Sequence, residues 1–300
     1  MPSKNATSTN RRLIHWTLVI LYSVSLPEVI FAYRKLSAIF PARSVGNIPV
    51  ILLLLMGFSY FLIVFKNKRP SWSYIIIVPC LAIYLYIRTL QPYPNKHIHI
   101  PEYAILAWLV YWAASIDYEG RGILLLVFVC SSLLGCVDEI LQGIHPARFY
   151  GWKDMLINTL SVAIGILTII GLKDTRSENW NWIYYFKRKN SLVFNILLGA
   201  SGSAFTLYYL FQLTQANATE FHYPSWLVLW NCLFVIISCW NLVRDTLTQN
   251  KLVTLLESST RNFQVKPIKT TLLWAYCLTI PFVVINGLAA LVVICGFQFK

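Results

Sequence analysis

Long apolar runs alternate with short polar segments along the whole chain. Nine of these runs approach the roughly 20 residues that a helix needs to cross about 30 Å of hydrocarbon. Open strands cannot satisfy their backbone hydrogen bonds in lipid, and the runs are too long and too uniformly apolar for the strands of a membrane barrel. We therefore expect an all-α protein, a polytopic transmembrane helical bundle with about nine spans. The approximate limits of these spans are 13–32, 47–65, 73–90, 100–117, 122–142, 154–172, 191–213, 224–243 and 271–297.

The composition agrees with a membrane protein. Hydrophobic residues make up 57% of the 300-residue chain and charged residues only 12%, a balance outside the usage of soluble domains. The first apolar run continues through Pro27 and Glu28 without a small-residue cleavage site, so we expect a retained span rather than a signal peptide. All seven cysteines lie inside apolar runs without a C-x-x-C pair, which favours packing roles over disulfides or metal ligands.

The formal charge of +13 is concentrated in short Lys and Arg clusters between the apolar runs. That distribution is typical of anchoring against anionic lipid and differs from the continuous basic surface of a nucleic-acid groove. Membrane lipid is therefore an expected partner, and nucleic acid is not. Most of the 25 Lys and Arg residues fall in segments that nine spans would place on the side of the N-terminus, so we predict a cytoplasmic N-terminus. Segments 173–190 and 244–270 would then be cytoplasmic, and segment 214–223 would lie outside.

Polar side chains interrupt the fourth, fifth and sixth runs, where ionisable groups are costly and usually mark a site. On each helix they recur at i+3 or i+4 and so share one stripe. Because consecutive spans run antiparallel, the start of the fourth, the end of the fifth and the start of the sixth lie at one membrane face. We therefore predict that the three stripes converge there. They comprise His99, Glu102 and Tyr103 on the fourth span, Asp138 and Gln142 on the fifth, and Asp154 and Asn158 on the sixth.

The connection between the fifth and sixth spans adds a cation at the same face. Arg148 carries a planar guanidinium, which suits bidentate pairing with a carboxylate or a phosphate. The neighbouring aromatic residues Phe149, Tyr150 and Trp152 are typical of the headgroup region of a membrane. The connection is therefore a candidate part of a ligand-binding site.

A set of polar residues between positions 95 and 165 stands at a distinctive spacing. It reads K-x-x-H-x-x-x-Y, followed by D-E-x-x-Q-x5-R-x5-D-x3-N-x6-G. This arrangement resembles the signature of VanZ-like membrane proteins over about 75 residues, roughly a quarter of the chain. It departs from that signature at Asn95, where an aspartate is usual, and in the loop HPARFYGWK, which replaces a Gly/Ser-rich loop. The matching residues are Lys96, His99, Tyr103, Asp138, Glu139, Gln142, Arg148, Asp154, Asn158 and Gly165.

The resemblance implies a helical membrane domain at 91–172, with transmembrane helices at 1–90 before it and at 173–300 after it. The founding member of the family confers low-level resistance to the glycopeptide teicoplanin in Gram-positive bacteria. By resemblance, we expect a bacterial protein of the inner (cytoplasmic) membrane whose polar cluster faces outward. It would bind a cell-envelope lipid or glycan and lower susceptibility to teicoplanin. The resemblance implies no reaction.

The candidate residues divide into two roles. If the protein is an enzyme, Glu139 or His99 would move a proton and Arg148 would hold a phosphate or carboxylate. Asp138 is the expected partner of Arg148. No cofactor is expected; imidazole and carboxylate groups suit zinc or manganese, but no helix carries an H-x-x-x-H pair, so no metal is expected either. The ligand-binding candidates are Lys96, Tyr103, Asp138, Gln142, Arg148, Asp154 and Asn158.

Two interpretations other than binding of an envelope ligand stay open. The acidic and basic groups can form a network that locks helix ends together near the headgroups. Alternatively, the whole bundle is a membrane transporter or a structural scaffold, in which the cluster is a gate or a helix staple. For Asn195, Asn231 and Asn286 we predict hydrogen bonds between spans, and for Gly165, together with Asn158, a close contact between helices.

Overall fold

A computed structural model describes residues 4–118, 120–146, 148–173, 180, 183, 190–215, 223–258, 265–297 and 299. Every regular element in this part of the chain is helical, which confirms the all-α prediction. Two 3-10 turns, Leu26–Glu28 and Pro94–Ile98, precede α2 and α7. The α-helices are α1 (Lys4–Ser25), α2 (Val29–Ile39), α3 (Ala42–Gly46), α4 (Ile48–Lys66), α5 (Trp72–Ile75), α6 (Ile77–Leu90), α7 (His99–Ala114), α8 (Ile123–Ile144), α9 (Trp152–Leu172), α10 (Asn190–Gln215), α11 (Ser225–Ser258) and α12 (Val265–Ile294).

The described helices include seven that are long and apolar enough to cross a membrane. An eighth results if the bent pair Asn10–Glu28 and Phe31–Ile39 is one span. This pair bends by 49° at a break next to Pro27, because a proline removes a backbone donor and its ring clashes with the preceding turn. The fourth predicted span corresponds to α7, whose 16 residues fall short of the roughly 17–25 that a membrane helix has. The polytopic helical bundle is confirmed.

Helix α11 continues beyond its apolar part. The apolar part, Ser225–Arg244, is followed by helix as far as Ser258, so the predicted polar connection at 244–270 is partly helical. Most of the predicted connections at 173–190 and 214–223 lies outside the described residues.

The chain forms two compact units. The first unit contains Met1–Ala113 and Lys153–Arg176, and the second contains Ala114–Trp152 and Ser177–Lys300. These units reflect packing, whereas the predicted boundaries near residues 90 and 172 follow the sequence motif. The three-part division of the chain therefore stays a prediction.

In the first unit, α9 packs against helices from the N-terminal part of the chain. A Cβ atom at Gly165 would lie 2.8 Å from the backbone oxygen of Ala104 and 2.8 Å from the Cβ of Ala107. The backbones of α7 and α9 therefore approach closely, which confirms the predicted small-residue contact. Two hydrophobic clusters among the described residues of this unit are built on Tyr60, Val64 and Ile76, and on Ile87, Ile100 and Ile157.

In the second unit, α12 packs against α8, α10 and α11. Buried asparagine side chains link α10, α11 and α12, which confirms the predicted hydrogen bonds between spans. Such bonds satisfy amide groups that would otherwise be costly inside the membrane. The pairs are Asn286 Nδ2 with Ser203 Oγ at 2.9 Å, Thr206 Oγ1 with Asn231 Oδ1 at 3.0 Å, and Ser238 Oγ with Asn195 Oδ1 at 2.9 Å.

Candidate functional site

A cluster of buried acidic and polar side chains of the second unit lies at the C-terminal end of α8. Asp138, Glu139 and Gln142 are buried there, with 3%, 0% and 1% of their surface exposed. Their helical spacing places the Gln142 amide beside both carboxylates. Helix α8 ends at Ile144, and the following connection returns Arg148 to Gln142. We call Asp138, Glu139, Gln142 and Arg148 the α8 cluster.

Gln142 is the centre of the α8 cluster. Its Nε2 donates to Asp138 Oδ2 at 2.7 Å and to Glu139 Oε1 at 3.2 Å. Its Oε1 accepts hydrogen bonds from Nε and Nη2 of Arg148, the first at 3.1 Å. One amide can do both because it has two N–H donors and a carbonyl acceptor. The cation and the two carboxylates are thus connected through a neutral group.

Arg148 has a different partner from the one predicted. Among the residues that the structure describes, its guanidinium donates to Gln142 and not to Asp138. The two donors in use, Nε and Nη2, lie on one edge of the guanidinium and converge on a single oxygen. The other edge, formed by Nη1 and Nη2, makes no hydrogen bond within the described part of the chain. An edge of this kind can bind a phosphate or a carboxylate through two parallel hydrogen bonds.

Glu139 is fully buried, and both of its oxygens have hydrogen-bond partners. Oε1 accepts from Gln142, and Oε2 accepts from the backbone N–H of Gly151 at 3.3 Å. Direct proton exchange with a ligand would therefore require the connection after α8 to move first. Arg148 is better placed than Glu139 for the first contact with a ligand, and the acid/base role of Glu139 stays a prediction.

Aromatic residues pack beside the α8 cluster. The ring centroids of Tyr150 and Phe299 are 5.2 Å apart, and the Tyr150 hydroxyl donates to the backbone oxygen of Leu207 at 2.9 Å. Gly143 leaves room for this packing, since a Cβ there would lie 2.5 Å from the Phe299 ring. Burial raises the pKa of the Tyr150 hydroxyl, which therefore stays a protonated donor at neutral pH. No motif near position 299 indicated this contact.

The predicted residues of the first unit lie at the N-terminal ends of α7 and α9. Lys96, in the 3-10 turn before α7, places its Nζ 2.6 Å from Asp154 Oδ2. Asp154 is in the first turn of α9, where a carboxylate also interacts favourably with the helix dipole. Its side chain is 7% exposed, and that of Lys96 is 35% exposed. The ion pair holds the start of α9 to the turn before α7.

His99 and Glu102 form a second pair with the predicted helical spacing. His99 Nδ1 lies 3.4 Å from Glu102 Oε2, and the Glu102 backbone oxygen accepts a hydrogen bond from the Tyr22 hydroxyl at 2.9 Å. Tyr103 is fully buried, and its ring centroid lies 6.2 Å from that of His99. His99 and Tyr103 are therefore members of a buried network, and the acid/base role of His99 stays a prediction.

Two other buried polar residues belong to the first unit. Asn158, a predicted ligand-binding residue, is fully buried in α9. His97 is 3% exposed; its Nε2 lies 3.0 Å from the backbone oxygen of Gln91, and its ring packs edge-on against Tyr84. The motif does not require His97, so the sequence pattern gave no reason to assign it a structural role.

The ion pair of Lys96 with Asp154 is expected to contribute up to about 1 kcal/mol to stability, because Lys96 is partly exposed. A double-mutant cycle of Lys96→Met and Asp154→Asn, measured by thermal unfolding in detergent, should yield that coupling energy. A second cycle with Lys153→Met and Asp154→Asn is the control, since Lys153 is exposed. Equal coupling energies in the two cycles would contradict a specific bond between Lys96 and Asp154.

The predicted site residues thus fall into two groups, one in each unit. The convergence of all of them on one membrane face stays a prediction. Within the described ranges, no group of three or more His, Cys, Asp or Glu side chains is placed to hold a metal ion, and the seven cysteines are free thiols. The first unit holds Lys96, His99, Tyr103, Asp154 and Asn158, and the second holds Asp138, Glu139, Gln142 and Arg148.

The described apolar helices define the class of this protein. The chain is a multi-pass integral membrane protein whose helices contact lipid. Comparison with protein-family models, with curated proteins and with solved structures gives no match. The VanZ-like resemblance therefore rests on the spacing of the motif residues alone.

Proposed function

We propose that this chain is a VanZ-like protein of the cytoplasmic membrane that binds an anionic cell-envelope ligand through Arg148 and so lowers susceptibility to teicoplanin. One observation carries the proposal. The Nη1 and Nη2 edge of the guanidinium makes no hydrogen bond to a described residue. Such an edge matches the paired oxygens of a phosphate or carboxylate, which a lysine cannot match in the same way.

The remaining residues of the α8 cluster prepare Arg148 for this role. Gln142 holds the guanidinium, and Asp138 and Glu139 in turn hold the Gln142 amide. A donor that is already fixed loses less conformational entropy when a ligand binds. Because the amide separates Arg148 from the two carboxylates, the guanidinium forms no direct ion pair with a carboxylate in the described part of the chain, and its charge is available to a ligand.

An envelope ligand requires that the connection after α8 faces away from the cytoplasm. In the nine-span topology predicted from the sequence, most Lys and Arg residues fall on the other side. This orientation requires the 16-residue helix α7 to cross the membrane together with the longer spans. Lipid-linked and glycan components of an envelope carry phosphates and carboxylates, which is the chemistry that Arg148 would recognise.

Inhibitory concentrations of teicoplanin and vancomycin in a susceptible Gram-positive host test this proposal. The wild-type chain is expected to raise the teicoplanin value and to leave the vancomycin value unchanged. Arg148→Lys keeps the charge but removes the planar pair of donors, so protection is expected to be lost at equal membrane abundance. Arg121→Lys makes the same change just before the N-terminal end of α8. This variant is expected to protect as well as the wild type.

Either of two results would count against the proposal. Full protection by Arg148→Lys would exclude the guanidinium as the ligand contact. Absence of protection by the wild-type chain would exclude the link to glycopeptides.

A transporter or scaffold is the second candidate. The buried hydrogen bonds between α10, α11 and α12 favour it, since Asn231 and Asn286 are fully buried between spans and such groups staple helices or line pathways. Glu139→Gln separates the two candidates. Because the α8 cluster is also expected to stabilise the fold, protection is compared at equal membrane abundance. A binding protein then loses protection, whereas a staple loses thermal stability but keeps protection.

A further inference from the structure

An apolar groove runs along the first unit between α4, α6, α7 and α9. Its volume is about 1040 Å³, at the upper end of the roughly 300–1,000 Å³ of ligand pockets. The four helices contribute, for example, Leu53, Tyr84, Trp108 and Ile164. No carboxylate is found among the described residues that line it, so the groove suits an uncharged, flexible hydrocarbon chain.

One end of the groove is basic, where Arg69 and Lys173 line it. Helix α4 ends in a Schellman turn: the Arg69 N–H donates to the Val64 carbonyl at 3.0 Å, and Lys68 adopts the left-handed conformation with a φ of 49°. This turn directs Arg69 toward the C-terminal end of α9. There, its Nη2 donates to the carbonyl of Leu172, which fixes the position of the guanidinium.

Both cations keep donors for a ligand. Arg69 has further N–H groups beyond the one that binds Leu172, and Lys173 is exposed. Neither side chain forms an ion pair with a residue in the described part of the chain. A glycerophospholipid combines a phosphate with long apolar chains, so it is complementary to apolar walls that end at two cations.

We propose that the first unit binds an anionic glycerophospholipid, with an acyl chain in the groove and the phosphate at Arg69 and Lys173. The site is independent of the envelope ligand proposed for Arg148. Helix α9 has 21 residues and is therefore about 31 Å long at 1.5 Å per residue. Asp154 lies in its first turn and Lys173 follows its last residue, so the lipid phosphate lies about a membrane thickness from Asp154.

Retention of phosphatidylglycerol by the purified full-length chain in detergent, measured by native mass spectrometry, tests the headgroup. Retention of phosphatidylglycerol is expected to exceed that of phosphatidylcholine. Lys173→Gln is expected to weaken the retention of phosphatidylglycerol about fivefold, the effect of one cation near an anionic phosphate. Lys153→Gln is the matched control, since Lys153 is an exposed lysine at the opposite end of α9, and it is expected to retain as much as the wild type.

A second variant tests the acyl chain. Gly57 lines the groove, and a Cβ there would meet no atom within 4 Å. Gly57→Leu is therefore expected to fold normally, to fill part of the groove and to reduce retention severalfold. Glycerol 1-phosphate, which has the phosphate but no acyl chain, is expected not to displace the lipid.

Three results would overturn the proposal. An equal decrease in phosphatidylglycerol retention in Lys173→Gln and Lys153→Gln would indicate general attraction of the lipid to a basic surface. Unchanged retention of phosphatidylglycerol by Gly57→Leu would show that the acyl chain lies outside the groove. Displacement by glycerol 1-phosphate would identify a phosphate site rather than a lipid site.

Discussion

Replacement of Gln142 by leucine is expected to lower the free energy of unfolding by about 3–5 kcal/mol, as when a buried charged network loses one member. The change removes the N–H groups that bind Asp138 and Glu139 and the oxygen that binds Arg148. Both carboxylates are buried, so the loss of these bonds is costly in a medium of low dielectric constant. Thermal unfolding of the purified chain, followed by circular dichroism, measures the effect.

Two further substitutions separate hydrogen bonding from shape. Leu141→Met changes the neighbouring residue at nearly constant volume and is expected to leave the unfolding temperature almost unchanged. Gln142→Glu keeps the shape but adds a third carboxylate beside Asp138 and Glu139, so repulsion between like charges is expected to destabilise this variant too. Wild-type stability in Gln142→Leu would show that the α8 cluster does not stabilise the fold.

Substitution of Gly165 by leucine is expected to cost about 3 kcal/mol, at the upper end of the usual cost of overpacking. The first added carbon would already lie 2.8 Å from the backbone oxygen of Ala104, and a backbone atom cannot rotate away as a side chain can. Helix α7 must therefore move away from α9. The unfolding temperature in detergent and the abundance in membranes are both expected to fall.

The matched control is the same substitution at Gly57. A Cβ at Gly57 meets no atom within 4 Å, and leucine favours a helix over glycine by up to about 1 kcal/mol. Gly57→Leu should therefore be as stable as the wild type or slightly more stable. Similar destabilisation at both positions would attribute the effect of Gly165→Leu to the introduced leucine rather than to the contact with Ala104.

The fold class could be predicted because lipid leaves few ways to satisfy a backbone, so long apolar runs indicate helices. The number of spans was harder to predict, as α7 illustrates. Ile100, Leu106 and Val110 in α7 are fully buried. Buried apolar residues raise the mean hydropathy of a segment as much as lipid-facing residues do. Hydropathy alone does not separate apolar residues that face lipid from those that face other helices.

For the candidate site, spacing predicted the local contacts and missed those that depend on a loop. Asp138 with Gln142 and His99 with Glu102 follow from the pitch of a helix. The partner of Arg148 depends on the path of the connection after α8, and this path places the guanidinium at Gln142 rather than at Asp138. The path of such a connection is set by tertiary packing and leaves no periodic pattern in the sequence.

Helix α9 is held at both ends by side chains of other elements in the first unit. Lys96 binds Asp154 at its start, and Arg69 binds the carbonyl of Leu172 at its end. A displacement of α9 along its axis by one residue, about 1.5 Å, would strain both contacts. Both contacts therefore oppose sliding of α9 in a thicker or thinner bilayer, and we expect the first unit to accommodate hydrophobic mismatch by tilting or by deforming the surrounding lipid.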